Sequence, residues 1–150
     1  MKPGDLVPDF TLPDQDDKPR SLSKLLSDGP VVLFFYPAAM TPGCTTESCH
    51  FRDLGAEFSA VGAQRVGISV DPVHKQHQFA ELNQFDYPLL SDPDGAVAQI
   101  FGVRRRFGPF PVKRHTFVIS TERRVLEVIR SELRMSTHAD RALEVLRQAG

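Results

Sequence analysis

The run Val31-Val32-Leu33-Phe34-Phe35-Tyr36, apolar at six successive positions and stopped by Pro37, constrains this chain more than any other segment. A strand with one wet face alternates apolar and polar residues, so an unbroken run requires cover on both faces. It predicts a central strand in a sheet with helices on either side. Arg65-Val66-Gly67-Ile68-Ser69-Val70 reads as a second buried strand, and Asp71-Pro72 after it as an N-cap and first-turn proline opening a helix. Between the two runs lie a Pro42-Gly43 turn and a helical stretch to about Ala60, with Phe51, Leu54 and Phe58 at helical spacing.

The remaining segments continue the alternation. An irregular opening carries Pro3, Pro8 and Pro13, and Ser21 caps a short helical turn through Leu26. Tyr87-Pro88-Leu89-Leu90 is extended, and Asp92-Pro93-Asp94-Gly95 starts a helix ending near Gly102. His115-Thr116-Phe117-Val118-Ile119 and Val125-Leu126-Glu127-Val128-Ile129 read as hairpin-related strands. Thr137 with Asp140 resembles a capping box, and Ala142, Leu143, Val145 and Leu146 give the last helix an apolar face. With no internal repeat or linker, the expectation is one domain over residues 1–150: a thioredoxin-like α/β fold, its central mixed β-sheet flanked by helices.

Length and charge narrow the function. A chain of 150 residues buries roughly 70% of its unfolded surface without staples, so its two cysteines are not needed to hold it together. Eighteen Lys and Arg against nineteen Asp and Glu give a formal net charge of −1, which offers no global field for nucleic acid or an anionic membrane. The N-terminal segment lacks an apolar signal-like run and no stretch is long enough to span a bilayer, so a soluble cytoplasmic protein is expected. In a reducing compartment a thiol pair is more often catalytic, redox-sensing or metal-binding than a permanent crosslink.

Both cysteines, Cys44 and Cys49, follow the central strand directly. The Pro42-Gly43 turn puts Cys44 in a first helical turn, where unpaired N–H groups and the helix dipole favour a thiolate and lower its pKa. Thr41, three residues earlier, is close enough for its hydroxyl to bond the thiolate or a substrate oxygen. Five helical residues separate Cα atoms by about 8.7 Å, beyond the roughly 7 Å that a disulfide tolerates. A Cys44–Cys49 bond therefore demands local unwinding, and Cys49 is the only other thiol able to condense with a Cys44 sulfenic acid. A Cys44, Cys49 and His50 metal site lacks the usual ligand spacing and a fourth ligand, so no metal or other cofactor is expected.

Pro37-x-x-x-Thr41-x-x-Cys44-Thr45-x-Glu47 resembles the peroxiredoxin active-site motif. Ala39-Met40-Thr41-Pro42-Gly43-Cys44-Thr45 with Cys49 is similar to the bacterioferritin comigratory protein, or PrxQ-like, subfamily. Gly4-Asp5-x-x-Pro8-Asp9-Phe10, Leu90-Ser91-Asp92 and Arg114-x-Thr116-Phe117-Val118-Ile119 agree, so the resemblance covers nearly the whole chain. It implies a monomeric thiol peroxidase for hydrogen peroxide and organic hydroperoxides. In that scheme Cys44 attacks the peroxide, Cys49 resolves the sulfenic acid as an internal disulfide, and thioredoxin or a similar dithiol reduces it. Thr41 would orient the peroxide, Pro37 shield the thiolate, and Arg114 stabilise both thiolate and departing oxygen. Glu47 lies on the same helical face as Cys44, where an unpaired carboxylate would disfavour the thiolate, so it is expected to hold Arg114.

Two rivals remain at this point. A general disulfide oxidoreductase would normally use a C-x-x-C that is missing here, and a redox sensor would oxidise once rather than turn over. The five histidines fall on helical or capping positions, or on a strand beside Arg114, and no catalytic role is expected for them. The basic, aromatic segment Arg104 to Lys113 is the main departure from the family pattern; it reads as a solvated loop whose Phe107 and Phe110 border the pocket.

Overall fold

The computed structural model describes residues 1–149. The chain opens with a two-stranded antiparallel hairpin, β1 (Thr11–Pro13) and β2 (Pro19–Ser21), where an irregular segment was expected. Prolines are tolerated because a two-stranded ribbon has free edges. Asp14 closes its turn, accepting from the N–H groups of Asp16 and Lys18 and from Arg20 Nε at 2.8 to 3.0 Å. Ser21 then caps α1 (Leu22–Leu26), its hydroxyl accepting from Lys24 N–H as expected.

The apolar run forms β3 (Val31–Phe35), in the middle of a five-stranded sheet with β4 (Gln64–Ser69), β5 (Leu89–Ser91), β6 (His115–Ile119) and β7 (Val125–Arg130). The order is β5-β4-β3-β6-β7, parallel on the β4 and β5 side and antiparallel on the β6 and β7 side. Around it lie α2 (Pro42–Asp53), α3 (Gly55–Ala60), α4 (Val73–Asn83), α5 (Ala96–Ile100) and α6 (Met135–Ala149). This is the thioredoxin-like arrangement, a mixed sheet between helical layers. Among the described residues, no helix is long and apolar enough to cross a membrane.

Period-two alternation sends the residues of β3 into two separate cores. Val32, Phe34 and Tyr36 join Phe51 of α2, Phe79 of α4 and Leu143 and Leu146 of α6. Val31, Leu33 and Phe35 join Leu22 and Leu25 of α1, Val97 of α5 and Phe117 of β6. In the first core Phe34 stacks on Phe51 with centroids 4.1 Å apart, a pairing that contributes about 0.5–1.5 kcal/mol beyond area burial.

Three local expectations are corrected. The helix after the cysteine turn does not run unbroken to Ala60; it breaks at Leu54, whose φ and ψ of −95° and 19° leave the helical range. Asp71 does not cap α4. Pro72 takes that position, and the Asp71 carboxylate accepts instead from Ala39 N–H and Ser69 Oγ, both at 2.7 Å. Thr137 and Asp140 form no capping box, because α6 begins two residues before Thr137 and Asp140 pairs with His50 of α2 at 2.8 Å.

Gly67 of β4 lies beneath the first core, where an added Cβ would sit 2.8 Å from Leu89 and 3.0 Å from the Phe34 ring. Overpacking of this kind costs about 1–3 kcal/mol. Gly67→Ala is expected to lower Tm by roughly 3–10 °C in a thermal melt; an unchanged Tm would contradict this account of the packing.

Candidate active site

Residues Pro37 to Thr41 join β3 to α2 and present Cys44. Pro37 is buried against the end of the strand. Met40 adopts the left-handed region at φ 64°, which costs a non-glycine residue on the order of 1 kcal/mol. Asp71 offsets this by fastening Ala39 N–H from the β4–α4 connection. Behind it the network continues inward: Ser69 Oγ donates to Asp71 and accepts from Gln76 Nε2, and Gln76 Oε1 accepts from the Tyr36 hydroxyl. Thr41 occupies the N-cap of α2 in extended geometry without a side-chain capping bond; its hydroxyl donates to Ala38 O at 2.8 Å.

With Pro42 and Gly43 opening α2, Cys44 falls in its first turn, among N–H groups that have no intrahelical acceptor. The thiol is fully buried. Arg114, directly before β6, reaches it from the strand next to β3: Nη2 lies 3.3 Å from Cys44 Sγ, and Nη1 donates to Glu47 Oε1 at 3.0 Å. The structure thus brings Cys44, Glu47 and Arg114 together, and Glu47 holds the guanidinium as its helical position suggested. Burial pulls the Arg114 pKa down, but the neighbouring Glu47 and Cys44 outweigh it and the net shift is upward.

Glu47 is the unusual member. Its carboxylate is completely buried, and Oε2 has no hydrogen-bond partner. Desolvation pushes its pKa up to about 8 despite Arg114 beside it. Burial thus favours the neutral acid while Arg114 favours the carboxylate, and in either form Oε1 accepts from Nη1. The other guanidinium nitrogen, Nη2, faces Cys44.

Sequence reasoning passed over His138. It is fully buried, with Nε2 2.8 Å from Ser131 O and 3.5 Å from Glu47 Oε2, and Nδ1 2.8 Å from Thr116 Oγ1. A carbonyl only accepts, so Nε2 carries the proton and the Thr116 hydroxyl donates to Nδ1. Burial lowers the His138 pKa, consistent with this neutral form. The legible signal was its position four residues before Ala142, on the apolar face of α6. Thr116 was legible too, two strand residues beyond Arg114 and on the same face.

Cys49 lies on α2 away from this cluster, half-buried, its Sγ 3.6 Å from Asn83 Oδ1. Both thiols are free. Because α2 is continuous from Pro42 to Asp53, their Cα atoms are about 8.7 Å apart in ideal helical geometry. Arg52 faces away from Cys44, donating to Asn83 O and pairing with Asp53. Phe107 and Phe110 are exposed; their loop is tied to the site through Arg105, which pairs at 2.9 Å with Glu132, the acceptor of the Arg114 N–H.

A model of the AhpC/TSA family matches residues 3–128. The chain is a peroxiredoxin of this family. The crystal structure of peroxidoxin BcpB from Mycobacterium tuberculosis matches with a TM-score of 0.96 at 66% identity, covering 100% of this chain and 99% of that one. Chloroplastic peroxiredoxin Q of Sedum lineare is 40% identical over 144 residues, 95% of this chain and 76% of its own. The bacterioferritin comigratory protein of Xanthomonas campestris, described for alkyl peroxide reduction, matches at TM-score 0.84 and 31% identity, over 93% of this chain and 91% of that one. Peroxiredoxin membership carries thiol-dependent peroxidase activity with it, and the PrxQ and bacterioferritin comigratory subfamily is the one these relatives represent.

The buried acid has a measurable consequence for this peroxiredoxin. The unfolded chain releases the Glu47 proton near 4.5, the folded protein near 8, so the group's stabilising contribution is complete below 4.5 and declines as pH rises to about 8. His138 and His115, both lowered by burial, act oppositely: their contribution is lost as pH falls below 6.5. Glu47→Gln is expected to remove the decline in urea midpoint as pH rises from 4.5 to about 8 while keeping the loss as pH falls below 6.5. An unaltered slope over the Glu47 window in that variant would show that Glu47 does not titrate as described.

Proposed function

We propose that this peroxidase reduces hydrogen peroxide and organic hydroperoxides with Cys44 as nucleophile, Cys49 as resolving thiol, and thioredoxin or a similar dithiol as reductant. The observation that carries the reading is the 3.3 Å contact between Arg114 Nη2 and the buried Cys44 Sγ at a helix N-terminus. A guanidinium and unpaired N–H groups stabilise a thiolate together, and a thiolate is the reactive form.

In this reading the Cys44 thiolate attacks one peroxide oxygen in line with the O–O bond. The S–O bond forms as the O–O bond breaks, and the departing oxygen leaves with the electron pair and takes up a proton as water or alcohol. Charge grows on that oxygen beside Arg114, in a site from which water is largely excluded, and fixed donors act most strongly there. The Thr41 hydroxyl turns from Ala38 O to orient the incoming peroxide. Pro37 walls off the thiolate, and Glu47 holds Arg114 in place.

The sulfenic acid then condenses with the Cys49 thiol, releasing water and forming the disulfide, after which a dithiol restores both thiols by exchange. Residues 1–150 act as one domain and one monomer in the cytoplasm. The exposed Phe107 and Phe110 tune access for larger peroxides or for the reductase.

Mass spectrometry after one equivalent of peroxide should show a loss of two hydrogens mapped to Cys44 and Cys49. Cys44→Ser is expected to abolish thioredoxin-coupled peroxide consumption, and retained turnover would sink the assignment. Cys49→Ser should keep the first oxidation and lose the internal disulfide; a normal disulfide pattern in that variant would show that another thiol resolves Cys44.

A further inference from the structure

The segment that must unwind for Cys49 to reach Cys44 is a poor helix. Thr45, Thr46, Ser48 and Cys49 all have low helix propensity, and the fully buried Ser48 hydroxyl has no hydrogen-bond partner. An orphaned buried hydroxyl opposes the conformation that buries it. What holds this stretch comes from elsewhere. The buried Tyr87, just before β5, donates its hydroxyl to Ser48 O at 2.7 Å, the residue directly before Cys49. Its ring is itself fixed, stacked on Phe85 at 5.3 Å and edge-on to Phe34 at 5.7 Å.

Below Cys49 the helix is anchored differently. Arg65 Nη1 donates to Phe51 O at 3.0 Å and, more weakly, to Arg52 O at 3.4 Å, two carbonyls at the C-terminal end of α2. The guanidinium is held by Asp86 at 2.9 and 3.0 Å and lies 5.1 Å from the Tyr87 ring centroid. It passes so close under Gly55 that a Cβ there would sit 3.2 Å from Nη2. Arg65 and the stacked Phe51 pin the end of α2, whereas the backbone beside Cys49 is held from outside the helix by the neutral Tyr87 bond, with a long 3.6 Å contact from Cys49 Sγ to Asn83 and a half-exposed His50–Asp140 pair beside it.

We propose that Tyr87 is a positioning residue that gates resolution: its bond to Ser48 O must break before Cys49 reaches the Cys44 sulfenic acid, and Arg65 confines the unwinding to the turns above Phe51. The gate rests on Cys49 being the resolving thiol. The step itself is balanced, Cys44–SOH and Cys49–SH giving the disulfide and water, with peroxide as the original oxidant. Holding the gate shut prolongs the sulfenic acid and exposes it to a second peroxide, which carries Cys44 to the sulfinic acid.

Tyr87→Phe keeps the ring and removes only the donor. Stopped-flow measurement with hydrogen peroxide should show an unchanged first oxidation and disulfide formation about two- to tenfold faster, the range set by one neutral hydrogen bond. The sulfinic fraction at excess peroxide should fall, as read by mass spectrometry. Ser48→Ala keeps the carbonyl, removes the orphaned hydroxyl and improves helix propensity, and should slow disulfide formation severalfold. A purely structural loss would lower Tm without moving the two variants in opposite directions. Unchanged or slower disulfide formation in Tyr87→Phe overturns the gate, as does faster formation in Ser48→Ala. Failure of the wild-type protein to form a Cys44–Cys49 disulfide overturns the underlying reading instead, and the wild-type control separates the two.

Discussion

One guanidinium stands between two buried acids, and the geometry of the site depends on that sharing. Arg114 donates to Glu47 through one nitrogen and approaches the Cys44 sulfur with another. Two full negative charges would share one positive charge at a cost the interior does not readily bear. Burial eases the conflict. Glu47 is enclosed so completely that desolvation raises its pKa to about 8 against the pull of Arg114, which weakens its competition with Cys44 for the cation. His138 completes the enclosure, joining β6, α6 and the loop before α6 behind the carboxyl group.

Holding Cys44 against Arg114 requires the loop from β3 to turn sharply, and the left-handed Met40 records that turn. Asp71 secures it from the next crossover connection, and the Ser69, Gln76 and Tyr36 network supports Asp71 from inside the sheet. A surface loop is thus specified by the interior, which is how a chain with low intrinsic helix preference after Pro42 keeps a defined first turn. The same low preference leaves α2 dependent on side chains from β4 and the β5 approach.

What could be read in advance follows from the range of each interaction. The β3 run was legible because cover on both faces imposes an unbroken apolar pattern, and Cys44, Glu47 and Thr41 because they share one turn. Arg114 was recognisable only through its motif resemblance, since nothing local links it to a cysteine seventy residues earlier. Asp71 looked like a cap because the carboxylate's true partner, Ala39 N–H, lies on another segment. Thr137 and Asp140 misled in the same way, and β1 and β2 were hidden by their brevity and their prolines. For His138 the burial was legible from the apolar face of α6, but its place at the site was not, because its three partners come from α2, β6 and the loop after β7.

The two cores on either side of β3 have a mechanical meaning. Cys44, Phe51 and the α6 residues belong to one; Leu22, Leu25, Phe101 and Phe117 belong to the other, with no residue in common. The sheet works as a partition wall. Were a helix on one side to lose a turn, the packing on the far side would keep the strands in register, and half the interior would remain a fixed reference. Large rearrangement of one thiol therefore does not require the molecule to approach global unfolding.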